Sequence, residues 1–295
     1  MALQGPLRVL KGWSPWCALE NCWRGSAIPS EPGLYRIRRA GQEDLDYIGQ
    51  TGLTLRRRLA MLVGVYRTEM PYRDPHTAAP ALWALRHSLS CSFEASVVPV
   101  PGDASYRKGL EALAVAIYRQ ARRQSPTANF GRILRGYQLS SHNSAKLVAA
   151  GKRRRGGPTA LEQNNWSSGV PPVGPLEGDP QEARWCGHKW SDWLRMRDSA
   201  VKLTPDALGL YRVRDADSPG LVYVGEGYIR ARLAAHLAKG NKTGHRQAPF
   251  FGAGLECSWT VNAAWLRHQR VELETDLIGA HVLSTGHAPR AQFLG

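Results

Sequence analysis

The sequence lacks the features that place a chain in a membrane or outside the cell. No apolar run approaches the roughly 20 residues that a membrane-spanning helix needs. The first residues lack the apolar stretch of a secretory signal. The five cysteines include no Cys-x-x-Cys pair, and an odd number at irregular spacing argues against a disulfide framework. We therefore expect a soluble, cytoplasmic protein.

Acidic residues are scarce relative to basic ones. The 295 residues include 24 Asp and Glu against 39 Lys and Arg, which gives a formal net charge of +15. A basic excess suits a polyanionic partner, and the planar guanidinium of arginine matches phosphate. A generic basic surface is the alternative interpretation, so charge favours nucleic acid without deciding for it.

The second half of the chain repeats the first. Gly33-Leu34-Tyr35 returns as Gly209-Leu210-Tyr211, and Tyr47-Ile48-Gly49 returns as Tyr223-Val224-Gly225. Six further matches follow the same order, and their offset only shrinks along the chain, as expected of two copies that differ by loop deletions. They pair Trp13-Ser14-Pro15-Trp16 with Trp190-Ser191-Asp192-Trp193, Arg58-Leu59 with Arg232-Leu233, His76 with His245, Cys91 with Cys257, Leu110-Glu111 with Leu273-Glu274, and Phe130 with Phe293.

These matches define a first copy at residues 11–132 and a second copy at residues 186–295. Residues 133–185 between them are rich in Gly and Pro and contain a basic run, which indicates a linker. The chain is long enough for two domains of ordinary size.

Hydrophobic periodicity predicts the same elements in both copies. Each contains two short strands, a helix, a third strand and a long helix with an apolar stripe. We therefore predict an α+β fold of two tandem domains, each a three-stranded, mainly antiparallel sheet flanked by helices. The predicted strands are 34–39, 45–49, 92–100, 208–214, 220–225 and 255–261, and the predicted helices are 54–66, 80–89, 106–123, 229–238 and 264–283.

The repeated motifs resemble those of the GIY-YIG nuclease superfamily. A Gly-x-Tyr triplet precedes a Tyr-x-Gly triplet by about a dozen residues in each copy. An Arg in the next helix, a His, a Glu on the long helix and an Asn or Gln in a closing loop follow in order. The resemblance covers nearly all of both copies, and it implies a compact sheet-and-helix fold that cleaves phosphodiester bonds with one divalent metal, Mg²⁺ or Mn²⁺, per site.

The resemblance also implies a role for each matching residue. Glu111 and Glu274 would bind the metal, and Arg58 and Arg232 would contact the scissile phosphate. The first tyrosine of each copy would help to deprotonate the attacking water, and the second would shape the same pocket. The complete set comprises Tyr35, Tyr47, Arg58, His76, Glu111, Asn129, Tyr211, Tyr223, Arg232, His236, His245, Glu274 and Gln292.

The chemistry of phosphodiester hydrolysis fits these residue types. A carboxylate-bound Mg²⁺ neutralises the leaving oxygen, and a fixed guanidinium stabilises the equatorial phosphoryl oxygens. Two departures separate the copies. Leu62 stands four residues after Arg58, where the second copy has His236, and Gln292 stands in place of Asn129. Each residue taken singly also has an ordinary structural interpretation, as a strand aromatic, a surface charge or a loop-capping side chain.

Further basic residues are candidates for nucleic-acid binding. They lie beside the matched arginines, in an insertion that only the first copy contains, and in the linker: Arg56, Arg57, Arg73, Lys152, Arg153, Arg154, Arg155 and Arg230. The tryptophans that precede each copy either stack on bases or pack against the sheet. A zinc site built from Cys17, Cys22, Cys186 and His188 has poor spacing, and buried free thiols are the simpler interpretation.

We therefore expect a metal-dependent endonuclease that cuts both strands of a specific double-stranded DNA target, of the restriction or defence type. One active site serves each strand, so a monomer suffices. Two alternatives stay open at this point. One is a structure-selective DNA-repair nuclease, and the other is a nucleic-acid-binding protein in which only the first copy is catalytic.

Overall fold

The computed structural model describes residues 4–70, 76, 78–135, 137, 166–218 and 220–294. It is an α+β protein with two antiparallel four-stranded sheets. The chain divides into two compact units. The N-terminal unit comprises Val9–Gly102 and Pro126–Ser168, and the C-terminal unit comprises Met1–Arg8, Asp103–Ser125 and Gly169–Gly295.

The first sheet belongs to the N-terminal unit and has the strand order β1-β4-β2-β3. The predicted strands and helices recur with small shifts in their ends. In chain order the elements are α1 (Gln4–Leu10), β1 (Cys17–Ala18), β2 (Gly33–Arg39), β3 (Leu45–Thr51), α2 (Leu55–Ala60), α3 (Ala79–Leu89) and β4 (Phe93–Pro99).

The prediction of three strands per sheet was wrong, because each sheet has a fourth. In the first sheet this is β1, which pairs with β4 through Cys17 and Ala95. A strand of two residues is too short to show the alternation that identifies strands in a sequence. The helix predicted over 54–66 ends at Ala60, and a 3₁₀ turn follows at Val63–Tyr66.

The second sheet belongs to the C-terminal unit and repeats the first, with the order β5-β8-β6-β7. The register irregularity between Ile37 and Arg38 returns between Val213 and Arg214. The elements are α4 (Ala104–Arg122), β5 (Leu194–Arg195), α5 (Asp198–Val201), β6 (Leu208–Asp215), β7 (Leu221–Tyr228), α6 (Ile229–Gly240), β8 (Leu255–Val261) and α7 (Arg267–Thr285).

Helices α4 and α7 pack closely within the C-terminal unit. A Cβ atom at Gly279 would lie 2.6 Å from the Cβ of Ala116, so only glycine permits this approach. The buried Arg119 of α4 forms a two-pronged ion pair with Asp276 of α7, with N–O distances of 2.7 and 3.0 Å. Because unpaired buried charges are costly, this pairing constrains how the two helices meet. Among the described residues, no helix is long and apolar enough to cross a membrane.

A buried histidine ties α7 to the start of β7. Nε2 of His281 accepts the Leu221 N–H at 2.9 Å, so Nδ1 of the neutral ring bears the proton and donates to the His287 carbonyl at 2.8 Å. Protonation of Nε2 would break the first bond. Burial accordingly lowers the His281 pKa from 6.5 to about 4.

We expect this histidine to make the protein acid-sensitive. The unfolded chain binds the proton more tightly than the folded chain, so the stabilisation is complete above pH 6.5 and is lost as the pH falls towards 4. Urea unfolding should show the wild type losing more stability between pH 7 and pH 5 than His281→Gln loses. Parallel pH dependences of the two proteins would contradict this account.

Candidate active site

The two tyrosine triplets form adjacent strands, and their glycines make room for the first tyrosine. Tyr35 of β2 lies opposite Gly49 of β3, as Tyr211 lies opposite Gly225 in the second sheet. A Cβ atom at Gly49 would lie 2.7 Å from the Tyr35 hydroxyl, and one at Gly225 would collide with the Tyr211 ring. The glycine of each Tyr-x-Gly triplet is therefore required by close approach of the phenol.

A buried aromatic cluster forms around Tyr35 in the N-terminal unit. The Tyr35 hydroxyl is hydrogen-bonded to Nε2 of His76 at 2.7 Å. The ring of Tyr47 lies 5.9 Å from that of Tyr35 and 5.4 Å from that of His76. The structure thus brings together the two tyrosines and the histidine predicted for the first copy.

The hydrogen bonds define the protonation of this cluster. Nδ1 of His76 accepts the Ala78 N–H at 3.1 Å. Burial and the nearby Arg58 lower the His76 pKa well below 6.5, so the ring is neutral and its proton is on Nε2. The Tyr35 oxygen therefore accepts from His76, and it also accepts from Nε of Arg58 at 3.2 Å. Two donors on one phenol oxygen stabilise negative charge there.

The C-terminal unit contains the corresponding cluster. The Tyr211 hydroxyl is hydrogen-bonded to Nε2 of His236 at 2.9 Å. The centre of the His236 ring lies 4.5 Å from that of the Tyr223 ring and 4.4 Å from that of the Phe251 ring. Burial raises the pKa of Tyr211 well above 10 and that of Tyr223 to about 12. Burial also lowers the pKa of His236 to about 3, so all three groups are neutral at pH 7.

The histidines of the two clusters come from different places in the chain. The sequence matches His76 with His245, and their local turns do agree, since Nδ1 of His245 accepts the Gln247 N–H at 3.1 Å. However, it is His236 of helix α6 that bonds the tyrosine, and no bond or ring contact among the described residues joins His245 to a tyrosine. The first copy has the buried Leu62 at the position of His236. The mismatch of Leu62 with His236 was the sequence signal for this exchange.

A partly buried carboxylate lies near the second cluster. Burial and the carboxylate of Glu226 raise the Glu274 pKa to about 8, and the Arg232 cation opposes this increase. No hydrogen bond from the described residues contributes to that shift. Glu226 itself is ion-paired with Arg270 at 2.9 Å. A desolvated carboxylate for which the described residues provide no hydrogen-bond donor is one that a hard cation such as Mg²⁺ would stabilise.

The arginines of the two copies have different partners. In the first copy Nε of Arg58 donates to the Tyr35 hydroxyl, whereas in the second copy Nε of Arg232 donates to the backbone carbonyl of Glu226 at 3.2 Å. The first arginine is therefore coupled to the phenol directly.

Glu111, the predicted metal ligand of the first copy, lies half-buried on α4. That helix belongs to the C-terminal unit, whereas Tyr35, Tyr47, Arg58, His76 and Asn129 belong to the N-terminal unit. The boundaries taken from the sequence repeat thus differ from the boundaries of the two units at this helix.

The closing-loop amides fix the Tyr-x-Gly strands. Asn129 accepts the Ile48 N–H and donates to the Ile48 carbonyl, both at 2.9 Å, between Tyr47 and Gly49. Gln292 accepts the Val224 N–H at 3.1 Å, between Tyr223 and Gly225. Both amides position the strand that contains the second tyrosine.

The candidate nucleic-acid residues divide into three groups. Arg56 and Arg230 each donate two N–H groups to a backbone carbonyl, that of Ile28 and of Thr204 respectively, so part of each fork is already used. Arg57 is exposed. The remaining predicted contacts lie outside the described residues: Arg73, Lys152, Arg153, Arg154 and Arg155.

No cluster of metal-binding side chains is seen in the described part of the chain. There, no group of three or more His, Cys, Asp or Glu side chains is arranged to hold a metal ion, so the zinc site considered for Cys17, Cys22, Cys186 and His188 is not formed among these residues.

Comparison with known proteins gives no relative of this chain. No family model, no curated protein and no solved structure matches it.

The closing amides offer a matched test of the geometry. Asn129→Ala leaves two buried backbone groups of Ile48 unpaired, and Gln292→Ala leaves one. At about 1–3 kcal/mol for each unpaired buried group, we expect Asn129→Ala to lose about twice as much unfolding free energy in urea titrations. Equal losses would show that the second hydrogen bond of Asn129 contributes nothing.

Proposed function

We propose that the protein is a metal-dependent endonuclease that hydrolyses phosphodiester bonds in double-stranded DNA, of the restriction or defence type. The observation that supports this most is the recurrence of one arrangement in two sheets. In each, a tyrosine hydroxyl over a glycine is hydrogen-bonded to a neutral histidine, beside a second tyrosine and an arginine. A buried polar cluster preserved twice around one oxygen atom indicates a reaction centre.

The first cluster suits activation of water. The Tyr35 oxygen accepts hydrogen bonds from His76 and Arg58, which favour its phenolate form. The phenolate would orient a water molecule, take its proton and so become the neutral phenol. The planar guanidinium of Arg58 is suited to the equatorial oxygens of a phosphate.

The second cluster suits the same reaction, but it contains a protonated tyrosine and a nearby carboxylate that would bind the metal. Tyr211 stays protonated at neutral pH, so it orients water through its hydroxyl. Glu274 would hold Mg²⁺ or Mn²⁺, and when bound the ion would neutralise charge on the leaving oxygen. On binding the ion Glu274 would lose its proton, and the charge of the cation would offset the cost of burying the carboxylate.

Two such centres on one chain provide one hydrolysis for each DNA strand, without a second chain. Since the copies differ in their histidine, arginine and amide environments, the target need not be palindromic. The net charge of +15 supports binding to the phosphate backbone.

One observation favours a second candidate function. Only Arg58 donates to its tyrosine, whereas Arg232 is turned to a backbone carbonyl. In this alternative the first copy alone is catalytic and the second copy binds DNA.

The proposal predicts cleavage of supercoiled plasmid in the presence of Mg²⁺ or Mn²⁺, followed by gel electrophoresis. Linear product should form with the metal and vanish with EDTA, because the metal provides most of the charge stabilisation. Full cleavage in EDTA, or no cleavage with any divalent metal on a randomised set of duplexes, would refute the nuclease assignment.

Single-site variants test the division between the copies. Glu274→Gln and Arg58→Gln should each slow one strand cut by roughly 10²–10³-fold, so that nicked circles accumulate. The nicks should map to opposite strands. Glu177→Gln and Arg24→Gln alter exposed residues of the same units and serve as matched controls that keep linear product.

The alternative function gives a different pattern in the same experiment. If only the first copy is catalytic, Arg58→Gln abolishes nicking as well as linearisation. Glu274→Gln then leaves the linear product nearly unchanged.

A further inference from the structure

The face of each sheet opposite the tyrosine contains an arginine between two tryptophans. On β2 the neighbouring residues Tyr35 and Arg36 point to opposite faces, because side chains alternate along a strand. The Arg36 guanidinium lies 4.7 Å from the ring of Trp13 and 4.6 Å from that of Trp16. Arg38 lies 4.1 Å from the ring of Trp16 and is ion-paired with Glu94.

The second sheet repeats this Arg–Trp cluster. Arg212 lies 4.4 Å from the ring of Trp190 and 4.5 Å from that of Trp193, and Arg214 lies 4.1 Å from Trp193. Even the hydroxyl beside the arginine recurs, as Ser258 in the second sheet and as Ser96 in the first.

In the second sheet the cluster is closed by a turn of the same chain. Nη1 of Arg212 donates to the carbonyls of Pro180 and Glu182, at 2.6 and 2.9 Å. The intervening Gln181 accepts from Arg214 through its side chain at 2.8 Å and from Trp193 Nε1 through its carbonyl at 3.1 Å. This segment buries Arg212 completely, to 0% exposure.

In the first sheet, no turn among the described residues accepts hydrogen bonds from the same donors. Within the described part of the chain, neither Nη atom of Arg36, nor Nη1 of Arg38, nor Nε1 of Trp16 has a hydrogen-bond acceptor. Trp13, Trp16, Arg36 and Arg38 are all half-buried, so the donors remain accessible.

The guanidinium of Arg36, which lies beside the indole rings of Trp13 and Trp16, is well placed to bind a ligand. The two rings restrict the motion of the guanidinium and reduce its contact with water, which strengthens hydrogen bonds made at its edge. In the second sheet, the corresponding N–H donors of Arg212, Arg214 and Trp193 bond to successive acceptors of one turn, Pro180–Glu182. Burial and the neighbouring Arg214 lower the Arg212 pKa to about 9, and Asp179 at the start of that turn partly opposes this lowering, so an acidic residue suits this position.

We propose that Trp13, Trp16, Arg36 and Arg38 form a docking site for an acidic peptide turn of a partner protein, one that presents successive backbone carbonyls as Pro180–Glu182 does in the second sheet. Because the site lies on the sheet face opposite Tyr35, a duplex bound at the tyrosine does not occupy it. The inference depends on the repeated cluster alone and stands apart from the nuclease proposal.

The test uses a fluorescein-labelled peptide of residues 178–183, Gly-Asp-Pro-Gln-Glu-Ala, and the full chain, with fluorescence anisotropy as the readout. We expect saturable binding of one peptide per chain, weakened about tenfold or more by Arg36→Met, in line with the loss of charge-assisted hydrogen bonds. Trp16→Phe keeps an aromatic face and removes the Nε1 donor, so it should weaken binding severalfold. Arg24→Met, an exposed arginine in the same unit, should leave binding unchanged.

Two controls make the result decisive. Circular dichroism checks that each variant is folded, and Arg36→Lys keeps the charge without the fork, so it should also weaken binding if Arg36→Met fails to fold. A labelled single-stranded oligonucleotide of 12 residues is titrated in parallel. No saturable peptide binding to the wild type overturns the proposal. Variants that weaken the oligonucleotide and spare the peptide also overturn it, since the ligand is then a phosphodiester.

Discussion

The position of the first tyrosine in each copy depends on a glycine of the neighbouring strand, because glycine has no side chain to block the phenol. Tyr35 lies over Gly49 and Tyr211 lies over Gly225, where any Cβ atom would collide with the phenol. From that position the hydroxyl reaches a buried histidine, and the second tyrosine packs against the same imidazole. The cluster in each sheet therefore depends on a strand pairing that aligns tyrosine with glycine, and on the amide of the closing loop that holds the glycine strand in place.

The exchange of histidines shows that the geometry is preserved more strictly than the residues that provide it. A loop residue, His76, reaches the phenol in one sheet, and a helix residue, His236, reaches it in the other. In the first sheet a buried leucine, Leu62, fills the helix position. The same hydrogen bond to the tyrosine is thus made by histidines from two different places in the chain.

The two sheets then diverge in their charges and in their opposite faces. Arg58 donates to a phenol, whereas Arg232 donates to a backbone carbonyl. In the second copy Glu226 adds a second carboxylate near Glu274. The first copy has the neutral Gln50 at the position of Glu226. On the other face, Pro180–Glu182 closes the Arg–Trp cluster of the second sheet, whereas no such turn among the described residues closes that of the first. A duplicated framework thus supports two sites with related shapes and different electrostatic environments, which is the condition for a division of labour between them.

The sequence by itself determined the duplication, the α+β class and most of the strands and long helices, because these depend on local periodicity and on motifs that recur in order. It also made the tyrosines, the arginines and the closing amides candidates for a site, since each copy repeats them. Tertiary structure alone decided that His236 and not His245 contacts Tyr211, because that choice depends on which element lies over the sheet. The two-residue edge strands β1 and β5 could not be predicted from the sequence, because they are defined only by their pairing with β4 and β8. The packing of α4 against α7, through Gly279 and the buried Arg119–Asp276 pair, depends on contacts between residues about 160 positions apart, and no local pattern in a single sequence encodes such a contact.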